Sequence, residues 1–346
     1  MSIHHLEEIS SGCGNRVSLS IRWNSARLVV HLDPSPVGNM MEDSLTEQYN
    51  AACIAEDYDE EEAMSHQILD AIVEAGRPTF DQLASPPALG SSTSSDLHSL
   101  LFPEEYSFRF RTLNNRTELT LRDGQSHGTA SDIAPQNGWA LEPSEHPFHL
   151  RIGDDTNLPK FSTKDICVLQ KLLGDGYIAR VLVGGQEMCS KVGDDLRADS
   201  AQRELSTLLK ISTSQYAGIL RVPKLLGLVQ TPDDGRVIGF LEEYIPSSDA
   251  PGLSSLGDIE TALSIAEVRR KKWASQVQET VHLLHQIGVT WGDGKASNVL
   301  INCDTDDAWI VDFGGGWTDG WVEPELSGTV EGDELAVKKI LEFLEV

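Results

Sequence analysis

The chain has 346 residues, room for about two domains of ordinary size and a core that needs no disulfide support. Its 27 Lys and Arg stand against 54 Asp and Glu, a formal net charge of −27. Nucleic-acid backbones and anionic lipid surfaces attract basic faces, so this balance excludes both as general partners.

The five cysteines (Cys13, Cys53, Cys167, Cys189 and Cys303) lie far apart, with no C-x-x-C or Cys/His spacing. Neither a disulfide framework nor a structural zinc is indicated. The first thirty residues alternate polar and apolar, without the continuous apolar stretch of a signal peptide. No apolar run approaches the roughly 20 residues that span a bilayer. The sequon Asn115-Arg116-Thr117 is therefore not expected to carry a glycan. These features read as an intracellular soluble protein, cytoplasmic or nuclear, with no membrane partner.

In chain order, Val17, Leu19, Ile21 and Trp23 alternate with Ser18, Ser20 and Arg22. After Asn24-Ser25 the alternation resumes through Ala26, Leu28, Val30 and Leu32, the pattern of a β-hairpin. A helix is predicted over about 59–75, acidic in its first turn, buried along Met64, Ile68 and Ile72, and stopped by Gly76 and Pro78. Tyr106, Phe108 and Phe110 predict a strand that turns near Asn114-Asn115 into another at Leu119 and Leu121. Phe148, Leu150 and Ile152 suggest one more. Segments 84–99 and 123–147 read as loops or disorder. Nothing in residues 1–160 carries recognisable chemistry, and Lys160 is their only lysine.

From about 165 the pattern becomes dense. Strands are predicted at 166–169, 178–183, 222–229 and 237–245. Helices follow at 198–211 and 267–287, the second buried along Trp273, Val277, Val281 and Leu284. Two short apolar strands come last, Val299–Ile301 and Trp309–Val311. Strand-rich first and helix-rich later, this half reads as α+β.

The strongest signal is Trp291-Gly292-Asp293-Gly294-Lys295-Ala296-Ser297-Asn298, running into Val299-Leu300-Ile301. After Trp309-Ile310-Val311 comes Asp312-Phe313-Gly314, whose first residue lies 14 positions beyond Asn298. The plain alternative is a β-hairpin with ordinary turn carboxylates. In this ordered set the chain resembles the protein-kinase-like superfamily: Asp293 and Asn298 have the D-x-x-x-x-N spacing of its catalytic loop, and Asp312-Phe313-Gly314 its metal-binding triplet. The chemistry suits those residue types. Phosphoryl transfer needs a carboxylate to orient and deprotonate an acceptor hydroxyl, and separate oxygen ligands for Mg²⁺. The resemblance implies Asp293 as the base, Lys295 on the γ-phosphate, and Asn298 and Asp312 as metal ligands, with ATP and Mg²⁺ as cofactors.

Upstream, Leu173-Gly174-Asp175-Gly176-Tyr177-Ile178-Ala179 resembles the glycine-rich phosphate loop, through Gly174 and Gly176. Cys189-Ser190-Lys191-Val192 fits the strand whose lysine grips the phosphates, with Glu204 as its ion-pair partner. The run Phe240-Leu241-Glu242-Glu243-Tyr244-Ile245 sits where the family binds adenine through backbone groups, at Glu243 and Ile245.

The departures are informative. Trp291-Gly292 replaces the usual His-Arg, so control by phosphorylation of an activation loop is not expected. The Gly-Asp pairing is more like aminoglycoside and choline phosphotransferases, whereas Lys295 is more like protein kinases. Pro324-Glu325, which resembles part of the family's Ala-Pro-Glu, ends only 13 residues after Asp312. The resemblance implies that Asp333 caps a final helix and braces the catalytic loop. The resemblance implies a C-lobe without the family's late helices.

The exact wording resembles uncharacterised fungal kinase-like proteins. Implied is a two-lobed kinase-like domain over 161–346 (N-lobe about 165–245, short C-lobe about 246–346), preceded by a β-rich domain over 1–160. The function expected is Mg- and ATP-dependent transfer to a hydroxyl acceptor, either a small molecule or one dedicated protein. The alternative is a pseudokinase serving as a nucleotide-binding or scaffold module, and a third chemistry is adenylyl transfer. Trp317 and Trp321 could wall an acceptor pocket, with packing favoured. His282 and His285, three apart on a helix, read as packing residues rather than a metal pair. Arg269-Arg270-Lys271-Lys272 reads as a solvated helix face.

Overall fold

The computed structural model describes residues 4–12, 14–84, 95–114, 116–122, 148–153, 156–174, 176–194, 197–247, 254–259 and 262–346. Cys13, Asn115, Asp175 and most of the two predicted loop segments lie outside the described residues. The chain divides into two compact units. Unit 1 is Met1–Thr93 with Ser99–Glu145, and unit 2 is Ser94–His98 with His146–Val346. The division falls before residue 160 because Leu150 is buried in the core of unit 2 and donates its N–H to Val237 O at 2.7 Å.

Unit 1 is mixed rather than mainly β. Its five-stranded sheet runs in the order β1 (His4–Gly12), β2 (Arg16–Trp23), β3 (Ala26–Leu32), β4 (Glu105–Leu113), β5 (Arg116–Leu121). Only β3 and β4 pair in parallel, and the connection between them holds two long helices, α1 (Met41–Ala55) and α2 (Tyr58–Leu83). The alternation of β2 and β3 puts Leu19, Ile21, Trp23, Leu28 and Val30 on one face, where they pack against Leu45, Tyr49, Ile68 and Phe80 of the helices. Asp57 caps α2 by accepting from Glu60 N at 3.2 Å. The helix does not stop at Gly76 but continues through Pro78 to Leu83. A side chain at 76 would collide with the Phe80 ring and Leu119, so glycine there lets the helix lie close on β5. The short helix α3 (Leu97–Leu101) occupies the end of the predicted 84–99 loop.

Unit 2 begins with a six-stranded sheet in the order β6 (Lys160–Ser162), β10 (Leu225–Gln230), β11 (Val237–Glu243), β9 (Gln186–Val192), β8 (Ile178–Val183), β7 (Cys167–Leu173). All pairs are antiparallel except β6 with β10. The predicted strand at 148–152 joins no ladder. Helix α4 (Ala198–Ser212) buries Glu204, Leu205, Leu208 and Ile211. The rest consists of α5 (Glu267–Gln286), the hairpin β12 (Val299–Ile301) with β13 (Ala308–Ile310), and α6 (Val330–Phe343). One core joins α4, α5, the hairpin and α6, centred on Trp273, Val277, Trp291, Ile310 and Ile340. Among the described residues no helix is long and apolar enough to cross a membrane.

The basic run on α5 is a solvated face only in part, with Lys271 exposed and Arg270 buried. Arg269 pairs with Asp306 and lies over the Trp273 ring, Lys271 pairs with Glu267, and Lys272 lies 3.0 Å from Asp307. Arg270 is buried and donates to the carbonyls of Leu344 and Glu345, tying α5 to the end of α6.

Candidate functional site

β9 is flanked by β8 and β11, and Lys191 projects from it toward α4. Its Nζ lies 2.6 Å from Glu204 Oε1 and 3.2 Å from Glu242 Oε1 on β11. Burial opposes the charge on Lys191, but Glu204 and then Glu242 outweigh it and hold the ammonium well above the ordinary lysine range. Burial pushes the Glu242 carboxyl up to about 7, with Lys191 opposing and Glu204 and Asp312 reinforcing the rise.

Glu204 reaches further. Its Oε1 also accepts from Phe313 N at 3.3 Å, which ties the lysine's partner to the triplet at 312–314. Asp312 sits at φ +65°, in the left-handed region that Asp tolerates better than most residues. Asn298 Nδ2 donates to the Asp293 carbonyl at 2.9 Å and lies 3.5 Å from Asp312 Oδ2. Asp293 in turn meets Lys295 Nζ at 2.6 Å through Oδ2, and accepts from Thr318 Oγ1 at 2.9 Å through Oδ1. Lys295 Nζ also donates to Thr318 Oγ1 at 2.9 Å. Lys191, Glu204, Asp312, Asn298, Asp293 and Lys295 thus form one connected network.

The loop at 291–298 is held from below. Asp333 is buried near the start of α6 and accepts from Trp291 N at 2.8 Å and Gly292 N at 2.9 Å. His285 of α5 makes a third bond to Asp333, at 2.8 Å. The helix cap itself is Thr329, which accepts from Gly332 N at 3.0 Å, so Asp333 braces the loop without capping. Gly292 has φ +95°, a conformation L side chains rarely adopt. Trp291 is buried and its indole N–H donates to Val311 O at 3.0 Å, fixing the loop to the strand that leads into Asp312.

Gly174 and Gly176 form the turn between β7 and β8, with φ of +59° and +101°. Arg197 lies over the Tyr177 ring beside them, 4.4 Å from its centre. Glu243 ends β11, and its N–H is taken by Lys224 O at 2.9 Å. Ile245 is buried just beyond. The two tryptophans part company: Trp321 packs near Phe343, whereas Trp317 is 52% exposed. His282 lies 2.8 Å from the Gln286 amide and His285 is spent on Asp333, so among the described residues the two histidines share no partner.

The oxygens suit a hard cation carried by a polyphosphate. Asn298 uses its amide nitrogen, leaving Oδ1 free to coordinate, and Asp312 Oδ1 accepts only a long 3.4 Å bond from Gly314 N. Among the described residues no group of three or more His, Cys, Asp or Glu is placed to hold a metal alone. A cation here would need phosphate or water oxygens to complete its shell. Four carboxylates (Asp293, Asp312, Glu204, Glu242) surround two ammonium groups, so a bare polyphosphate would be repelled and a metal-bound one favoured. Two cavities, of about 290 Å³ between the β1–β2 turn and α1 and about 230 Å³ between α4 and β10, do not border this network.

Three participants escaped sequence reasoning: Glu242, Thr318 and the Trp291 indole. An acid closing the apolar run Val237-Ile238-Gly239-Phe240-Leu241 was the one visible signal for Glu242. No protein-family model matches the chain, and neither does any curated protein.

Proposed function

We propose that unit 2 is a two-lobed protein-kinase-like phosphotransferase that moves the γ-phosphoryl group of Mg·ATP to a hydroxyl acceptor. The observation that carries this reading is the connected network from Lys191 to Lys295, built from residues that lie over a hundred positions apart in the chain. In it, the sheet β6–β11 with α4 is the first lobe and the remainder a short second lobe.

Each residue then has a task. Backbone groups at Gly174 and Gly176 approach the phosphates closely, because no Cβ intervenes. Lys191, held by Glu204, contacts the α/β-phosphates, and the backbone near Glu243 and Ile245 takes the adenine. Asn298 and Asp312 would hold Mg²⁺, which would supply positive charge against the negative charge developing on the phosphates. Asp293 has lone pairs left after Lys295 and Thr318 are served. One of these orients the acceptor hydroxyl and takes its proton as the oxygen attacks phosphorus and ADP departs. Lys295 balances charge on the transferred group.

The test is turnover of γ-labelled ATP by the full chain and by Asp293→Ala, with nucleotide affinity measured in parallel. Lost turnover with retained binding supports the base assignment. Nucleotide binding without turnover in the unaltered chain, across diverse acceptors, favours a binding module. A mass gain of an adenylyl rather than a phosphoryl group on the acceptor shifts the reading to adenylyl transfer.

A further inference from the structure

Unit 1 holds eight basic side chains, all arginines, in a part of the chain rich in acids. Seven of them fall on one face of its sheet. The register settles this: Arg22 pairs with Arg27, Ser18 with His31, His31 with Arg109, Arg109 with Thr120, and Arg111 with Glu118. Arg16 shares the face of Ser18 by the period of two, and Arg122 follows Ser107, to whose carbonyl its N–H donates. Arg116 lies opposite Leu113 on the same face. The eighth, Arg77, belongs to α2 and lies over the Trp23 ring. That helix and α1 together carry ten acids, so charge is segregated across the two layers.

The arginines fall into two groups. At one end Arg22 and Arg27 are spent on Glu7, at 2.6 and 2.8 Å, and Arg22 is buried. Toward the other end Arg16, Arg111, Arg116 and Arg122 are exposed and Arg109 is half-buried. Among the described residues the carboxylates that share this face with Glu7 are Asp33, 2.9 Å from Arg109 and 3.5 Å from Arg16, Glu118 opposite Arg111, Glu105 opposite Arg27 and Glu8 opposite Ser20. Burial, and after it the nearby Arg122, hold His31 below its ordinary range, so the imidazole does not add to the charge but stands as a neutral donor or acceptor bonded to Ser18.

We propose that this open face docks an acidic, extended polypeptide segment of a partner protein. Seven guanidinium groups against five carboxylates leave the described residues of this face net positive on a negative molecule, and arginine forks match carboxylates in paired geometry. Arg109 and Arg111 are two residues apart on β4, about 6.8 Å, the interval at which an extended peptide repeats carboxylates along one side. Among the described residues the face carries no Phe, Tyr or Trp, so a single-stranded nucleic acid would find no stacking platform on them. The site is independent of the phosphotransferase reading of unit 2.

The probe is a fluorescein-labelled peptide of alternating Glu and Thr, titrated with the full chain and followed by anisotropy. Its Gln-Thr counterpart and a single-stranded oligonucleotide serve as the other arms. Saturable binding of the Glu peptide is expected, weakening as salt is raised, with at least about tenfold preference over the Gln peptide. Arg111→Ser with Arg122→Ser, and separately Arg16→Ser with Arg116→Ser, should each weaken it at least about fivefold with the circular dichroism spectrum unchanged. Lys338→Ser on α6 should leave it unaltered. Equal binding of the two peptides, binding of the oligonucleotide alone, or indifference to both arginine pairs in folded protein would overturn the proposal.

Discussion

The hydroxyl of Thr318 donates to Asp293 Oδ1 at 2.9 Å and accepts from Lys295 Nζ at the same distance. One side chain thus fixes the carboxylate and the ammonium relative to each other. On the phosphotransferase reading, Thr318→Val should reduce kcat by about ten- to a hundredfold while nucleotide affinity changes less than about twofold. Thr318→Ser should restore most of the loss. Steady-state kinetics beside a binding titration separates the two effects, and equal losses in both would count against the positioning role.

Asp333 tests how the loop is carried. Replacing it by alanine strands the buried N–H groups of Trp291 and Gly292 and the His285 ring, at a cost of about 1–3 kcal/mol for each unsatisfied group. Asp333→Ala should lower the melting temperature of the protein and, with the loop released, its turnover. Asn at this position keeps one acceptor and should fall between. A melting temperature unmoved by Asp333→Ala would mean that the clamp contributes nothing.

Glu242 gives a pH prediction. Its carboxyl is raised to about 7, above the ordinary value it regains on unfolding. Folding therefore favours its protonated form. That contribution is complete at pH below the ordinary carboxylate range and is lost as pH climbs through 7. Relative to Glu242→Gln, the native chain should lose stability between about pH 5 and pH 8. Denaturant titrations of both proteins at several pH values measure the difference, and parallel curves would contradict it.

Gly76 makes a prediction about unit 1. A methyl group there meets the Phe80 ring and Leu119. Gly76→Ala adds helix propensity of about 1 kcal/mol but overpacks by about 1–3 kcal/mol, so net destabilisation is expected. Thermal melts of the two proteins decide the sign.

How much of this was legible in the chain depends on where each side chain finds its partner. The hairpin of β2 and β3 was plain because its alternation runs unbroken from Val17 to Leu32 around Asn24-Ser25. The loop from Asp293 to Asn298 and the triplet at Asp312 were plain because neighbours in sequence meet in space. Helix α1 was hidden, since its buried positions include Glu42, Asp43 and Thr46 among the apolar ones. Glu42 is there to receive Thr112 of β4, a partner seventy residues away. The end of α2 is not legible at Gly76 and Pro78, because packing against β5 overrides two local breakers. The basic run on α5 looked solvated because Asp306, Asp307 and the final carbonyls that engage it come from distant parts of the chain. Lys191 and Glu204 were readable as a pair, but the second acid at 242 was not, for it depends on the register of β9 against β11.

The most direct test of the central claim is a thermal-shift titration of ATP into the full chain and Asp312→Ala, each with Mg²⁺ and with chelator. For the unaltered chain, nucleotide at a hundred times its Kd should add about 2.7 kcal/mol of stability only when Mg²⁺ is present, and the variant should lose that dependence. An unaltered chain that ATP fails to stabilise under either condition, or an Asp312→Ala protein that responds to Mg·ATP as fully as its parent, would contradict the account.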